Sequence, residues 1–252
     1  MTGTRRVLAF LIPLLAVMSV SCGTSTSGDK EPVLVFAAAS LAEAFEAIAT
    51  TFEAGRPEFD VQLNLAGSSS LREQILEGAP ADVFVSANNS NMDQVIEAGE
   101  AAASATLATN FLEIAVPAGN PAGVTGLSDF ARDELLIGLC AEVVPCGDLG
   151  KQALANARVA AVVDTNEPDV RALLVKIEAG ELDAGIVYVT DVLAAGDRVE
   201  GVDIPADVNC AATYLIAALA NAPNPDGADA FVTFAISEEA RAILARYGFS
   251  FP

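Results

Sequence analysis

The chain has 252 residues, 52% of them hydrophobic and 19% charged, enough to bury the core of one large or two modest lobes. Its formal net charge of -21 gives a field that repels phosphate backbones and anionic lipid surfaces, which argues against nucleic acid as a partner. The same field disfavours a free anion, so any anion site here must work through short-range donors and not through steering.

At the amino terminus Arg5 and Arg6 precede an apolar run from Val7 to Val20, interrupted by Pro13. These fourteen residues fall short of the roughly 20 that span a bilayer, so residues 1–21 read as a secretory signal peptide. The small residues ahead of Cys22 resemble a lipoprotein processing box, with Ser19 where that pattern usually has Leu. Cys22 is therefore the expected lipidation site, and residues 22–31, small and polar, read as a flexible tether. The expected location is the outer face of the cytoplasmic membrane as a lipoprotein, or the periplasm, with lipid as the sole membrane contact.

From Pro32 onward short apolar runs alternate with amphipathic stretches, the pattern of an α/β protein with mostly parallel strands. Strands are predicted at Val33 to Ala39, Val61 to Leu65, Asp82 to Ala87, Phe111 to Val116, Leu135 to Leu139, Val159 to Val163, Ala184 to Val189 and Ala212 to Leu219. Between them, Leu41, Phe45, Ile48 and Phe52 recur at helical spacing, as do Leu71 and Ile75, and Val170, Leu173, Leu174 and Ile177. A last helix is predicted from about Ala228 to Tyr247, with Gly248 as its stop.

Cys140, Cys146 and Cys210 remain in an exported, oxidising setting. Cys140 and Cys146 enclose five residues in a loop-like stretch and are the expected disulfide, free thiols being the alternative. Cys210 is expected to be a buried free thiol. With no histidine and no second cysteine pair at a zinc-like spacing, direct metal-ion ligands are not expected.

Four strand-to-helix junctions stand out. Ser40 follows three alanines; Ser68 precedes the helix of Leu71 and Ile75; Pro145, Cys146 and Gly147 open a third helix; Glu167 to Val170 open a fourth. In a parallel α/β sheet such junctions gather at the carboxyl edge of the strands, and free N–H groups at helix starts make each a donor cluster for an anion. Any one junction alone reads as simple capping, and Ser70 to Glu73 matches a capping box. Tyr188 alone reads as a half-buried strand aromatic.

The segments VFAAASLAEAF, AGSSSLREQILEGAPADVFVSA, VPCG, NEPDVRALLVKIEAGELDAGIVYVTD and RYGF closely resemble the periplasmic molybdate-binding protein family, from about Val33 to Phe249. The resemblance implies a two-lobed periplasmic-binding-protein-like fold of type II, each lobe a mostly parallel sheet flanked by helices, with a ligand cleft between. Lobe 1 would comprise 32–109 plus 216–252 and lobe 2 would be 110–215. It also implies an oxyanion, molybdate or tungstate, held by neutral groups: Ser40 and Ser68 through hydroxyl and N–H, Cys146 and Val170 through backbone N–H, and Tyr188 through its hydroxyl. Such a protein would be a monomeric receptor that delivers its anion to an ABC importer's permease, with no cofactor and no chemistry on its cargo. Cys146 stands where members often carry a small residue, and Leu215 where a Pro is common.

A serine hydrolase is the distant alternative and lacks a general base, since there is no histidine and few lysines lie past the tether. Ferric iron is disfavoured because Tyr188, Tyr214 and Tyr247 are widely separated. Phosphate would often recruit an Arg or a proton-accepting carboxylate. Sulfate, another tetrahedral dianion, is the nearer alternative.

Overall fold

The computed structural model describes Thr2 and residues 30–251. The signal peptide and Cys22 lie outside the described residues, as does the tether apart from its last two residues. Among the described residues no helix is long and apolar enough to cross a membrane.

The first strand, β1 (Glu31–Ala38), is apolar over its last six residues because it lies between β2 (Phe59–Ala66) and β3 (Val83–Ser86), both parallel to it. A single 3-10 turn at Ala39–Leu41 leads into α1 (Ala42–Gly55), whose Phe45, Ile48 and Phe52 face the core. Phe52 stacks on Phe59 with ring centroids 5.7 Å apart and meets the edge of Phe231 at 5.3 Å. Thus α7 (Pro225–Ala235) and α8 (Glu238–Arg246) return the end of the chain to the first strands. The remaining helices on this side are α2 (Ser68–Leu76) and α3 (Asn89–Glu97).

Two long strands link this group to the next. The first six residues of β4 (Ala105–Pro117) that pair with β9 (Ala211–Ala218) run antiparallel to it, and from Leu112 onward β4 pairs with β7 (Ala184–Tyr188) and β8 (Val199–Asp203). The parallel trio β7, β5 (Ile137–Cys140) and β6 (Thr165–Glu167) forms the second group, covered by α4 (Pro145–Asn156), α5 (Val170–Glu178) and α6 (Val189–Ala195). The full order is β2-β1-β3-β9-β4-β7-β5-β6, with β8 on β4.

Three local expectations are corrected. Val159 to Val163 is not a strand: after α4 the chain turns at Arg158 (φ 57°), and although Val159, Ala161 and Val163 pack on the core, the stretch joins no ladder and its Val162 N–H goes to the Phe130 carbonyl. The strand of this region is the short, polar β6. The last helix is two helices, because Ser237 leaves the helical path and caps α8, its Oγ accepting from the Ala240 N–H at 3.3 Å. Cys210 is free but half-buried instead of buried, its Sγ 3.7 Å from Asn156 Nδ2.

Candidate functional site

The carboxyl ends of β1, β2, β5, β6 and β7 converge, and the five residues singled out in the sequence, Ser40, Ser68, Cys146, Val170 and Tyr188, line one cavity there. About 20 Å³ of it is open to the centre of a water-sized sphere. A single water needs about 10–15 Å³ on that measure, so the space suits one compact ion and not an organic solute.

Each junction leaves donors unspent. Ser68 is the first residue of α2, and its N-cap, Gly67, supplies no side chain to receive the helix's first N–H groups. The capping box expected at Ser70 to Glu73 does not form, since Ser70 lies inside α2 and the Glu73 carboxylate pairs with Arg72 Nη2 at 3.0 Å. Ser68 Oγ accepts from the Ala87 N–H at 3.1 Å, which leaves its own proton to donate.

Around α4, Pro145 sits at the first turn and Val144 gives no side-chain cap; the Gly147 and Asp148 N–H groups return to the Val144 carbonyl, and the Cys146 N–H does not. A disulfide joins Cys140, at the end of β5, to Cys146, with Cα atoms 5.7 Å apart, so the expected bridge closes the loop that presents this N–H. A Cβ on Gly147 would stand 2.0 Å from the Ala141 carbonyl oxygen, which restricts that position to glycine. At α5 the Asp169 carboxylate takes the Arg171 and Ala172 N–H groups at 2.9 Å each and leaves Val170, the first helical residue, with a free N–H. Glu167 and Pro168 precede this helix and do not open it.

Tyr188 is not half-buried but 1% exposed, and its hydroxyl, although wholly buried, has no hydrogen-bond partner among the described residues. Such an orphan costs roughly 1–3 kcal/mol unless something answers it. Burial, followed by the nearby Tyr214, Asp191 and Asp148, pushes its pKa well above the ordinary tyrosine value, so it is a fixed donor. The site is therefore a ring of neutral donors: three hydroxyls and the N–H groups of helix starts. Among the described residues no cluster of histidine, cysteine or carboxylate side chains suits a metal ion.

Around this ring lie residues that sequence reasoning missed. Ser40 Oγ is 2.7 Å from the Tyr214 hydroxyl, and Asn110 Nδ2 reaches Thr190 Oγ1 at 2.7 Å. Asn110 lies in the middle of β4 and is buried, but the strand expected from the sequence begins one residue later, at Phe111. Arg171 donates from Nη2 to Glu43 Oε1 at 2.7 Å, while its Nη1 stands 4.0 Å from Asp191 Oδ1; these last two atoms are buried without hydrogen bonds. Asp191 Oδ2 accepts from the Tyr188 N–H at 3.0 Å, holding the turn that aims the tyrosine. Burial pushes the Asp191 carboxyl up to about 7.

The sequence pattern of the family described as bacterial extracellular solute-binding protein matches residues 33–250. The molybdate-binding protein ModA of Mycobacterium tuberculosis (strain H37Rv) is 36% identical over 255 residues, covering 99% of this chain and 98% of that protein. The putative ABC transporter substrate-binding lipoprotein YvgL of Bacillus subtilis is 31% identical over 96% of each chain. Among solved structures, the sulfate-binding protein SubI from Mycobacterium tuberculosis superposes with a TM-score of 0.78 at 18% identity, over 87% of this chain and 86% of that one, a likeness of fold.

Proposed function

Because the chain belongs to the bacterial extracellular solute-binding proteins, we propose that it captures molybdate, or the nearly equal-sized tungstate, for delivery to an ABC importer. It is a binding protein and not an enzyme. The single observation that carries the choice of an oxyanion is the orphaned Tyr188 hydroxyl, aimed into a cavity otherwise ringed by serine hydroxyls and helix N–H groups.

The proposed contacts are the hydroxyl and N–H of Ser40 and of Ser68, the N–H groups of Cys146 and Val170, and the Tyr188 hydroxyl, about seven donors in all. Each charge-assisted bond contributes roughly 1.5–3 kcal/mol net. Closure and lost freedom offset much of this, and a surplus of about 8–12 kcal/mol corresponds to micromolar to nanomolar affinity. Short-range donors suit a chain of net charge -21, whose surface field is screened within about 10 Å at 0.1 M salt.

The reading further takes residues 32–109 plus 216–252 as one lobe and 110–215 as the other, hinged on β4 and β9. Ser40 and Ser68 then face Cys146, Val170 and Tyr188 across the cleft, so the anion binds the closed form best and shifts the population towards it. The permease is the partner that reads closure. Export follows from the family, and a lipid on Cys22 is the proposed anchor. Calorimetric titration with molybdate tests the reading: one site per chain at micromolar affinity or tighter is expected, weakened in Ser40→Ala, and absence of binding would overturn it.

A further inference from the structure

Tyr214 and Asn110 lie on β9 and β4 and line no part of the cavity, yet they form a directed chain that ends on Ser40. Asn110 Oδ1 accepts the Phe111 N–H at 3.0 Å, which turns Nδ2, a donor only, towards Thr190 Oγ1 at 2.7 Å and towards the Tyr214 oxygen at 3.5 Å. On its other side the Tyr214 hydroxyl meets Ser40 Oγ at 2.7 Å, a full-strength contact. Tyr214 is wholly buried, with the Phe249 ring edge-on at 5.3 Å and Tyr188 at 6.4 Å, so its oxygen keeps this position.

The donors in this chain can be assigned. If Ser40 gave its proton to Tyr214, the Tyr214 proton would have to point at the Asn110 amide, which accepts nothing from that side. The reverse assignment satisfies every group: Asn110 Nδ2 gives one hydrogen to Thr190 Oγ1 and turns the other towards the Tyr214 oxygen, Tyr214 O–H donates to Ser40 Oγ, and the Ser40 proton is left for the cavity that Ser40 lines. Burial, the largest influence on Tyr214, pushes its pKa above the ordinary value, so it keeps the proton the chain needs.

We infer that Tyr214, oriented by Asn110, is a positioning residue that locks the Ser40 hydroxyl as a donor into the oxyanion cavity and thereby tunes the site for fully deprotonated anions. The inference rests on the proposed oxyanion function. Ser68 Oγ is engaged the same way by the Ala87 N–H, and burial keeps the proton on Tyr188, so all three hydroxyls have a proton to turn to the cavity they line, which suits an anion that carries no proton of its own. A Ser40 hydroxyl released from Tyr214 would be free to turn and accept the proton of an anion that carries one.

The test is a double-mutant cycle read by calorimetry on the whole exported chain, using whichever of molybdate, tungstate or sulfate stabilises the wild type most. A failure of the molybdate reading then shows in the wild type, while the relay is judged from the variants. Tyr214→Phe is expected to weaken binding about tenfold and, in the Ser40→Ala background, to change it no further. The preference for that anion over inorganic phosphate at pH 7 should narrow in Tyr214→Phe. If Tyr214→Phe folds poorly, Asn110→Asp serves: it turns the donor facing Tyr214 into an acceptor, and the part of its loss that works through Ser40 should vanish in the Ser40→Ala background. Equal losses with and without Ser40, or unchanged affinity and unchanged phosphate discrimination in Tyr214→Phe, would overturn the inference.

Discussion

Arg171 Nη2 donates to Glu43 Oε1 at 2.7 Å, so an ion pair joins α5, one residue beyond Val170, to α1, three residues beyond Ser40. If those helices belong to facing lobes, the pair forms only on closure. Both side chains are about a third exposed, at 30% and 34%, so the pair contributes at most about 1 kcal/mol.

Glu43→Gln is therefore expected to weaken oxyanion binding about two- to fivefold, through faster dissociation, and the difference should shrink in high salt. Stopped-flow dissociation rates that match the wild type at low salt would remove the latch from the account.

Tyr188→Phe separates binding from stability. Removing an orphaned buried hydroxyl leaves the free protein as stable as before or slightly more so, while the anion loses a donor. Affinity should fall by about 1–3 kcal/mol with no drop in the melting temperature of the ligand-free chain. A matching loss of stability would mean that the hydroxyl has a structural role instead.

Gly67 is a point of close approach between the two sides of the site. A Cβ there would stand 2.8 Å from the Pro168 carbonyl oxygen and 3.1 Å from Val144 Cγ1. Gly67 has φ -59°, so alanine costs its own backbone little, and the strain falls on closure. Gly67→Ala should lose roughly 1–3 kcal/mol of binding, with small-angle scattering showing less compaction on adding the anion. Full compaction at wild-type affinity would contradict a closing cleft.

Asp191 predicts a pH dependence of stability. Burial raises its carboxyl to about 7; the Tyr188 N–H and Arg171 oppose the shift, and Glu43 and Asp169 add to it. In the unfolded chain the group ionises near 4. Between about pH 4 and 7 the folded form holds a proton that the unfolded form has released, so this group's contribution to stability falls as pH rises through that window and is flat above it. Asp191→Asn, whose oxygen still accepts from Tyr188, should remove that fall. Identical pH profiles of melting temperature in the two proteins would show that Asp191 is ionised throughout.

How far the sequence was legible follows from where the information sits. Apolar runs such as VLVFAA and GIVY announce strands buried on both faces, and β1 and β7 lie where those runs predict. The strands β6 (TNE) and β8 (VEGVD) are short and polar; neighbouring strands hold them in place, and a local pattern cannot show that. Val159 to Val163 fails for the opposite reason, with a short apolar run rich in β-formers and no partner strand. At the site, Ser40, Ser68, Cys146, Val170 and Tyr188 were named through contiguous motifs, and they meet at one cavity. Asn110 and Tyr214 were not, because their roles depend on side chains brought together from 80 and 174 residues apart, at Asn110 with Thr190 and Ser40 with Tyr214.

The most direct measurement is thermal unfolding of the chain begun after Cys22, with molybdate, tungstate, sulfate and phosphate added separately at equal concentration. An anion at about a thousandfold over its Kd stabilises by roughly 4 kcal/mol, a shift on the order of 10 °C for a body of this size. The account predicts large shifts with molybdate and tungstate and little with phosphate. A shift with sulfate alone would keep the site and change the cargo, and no shift with any of the four would contradict an oxyanion receptor.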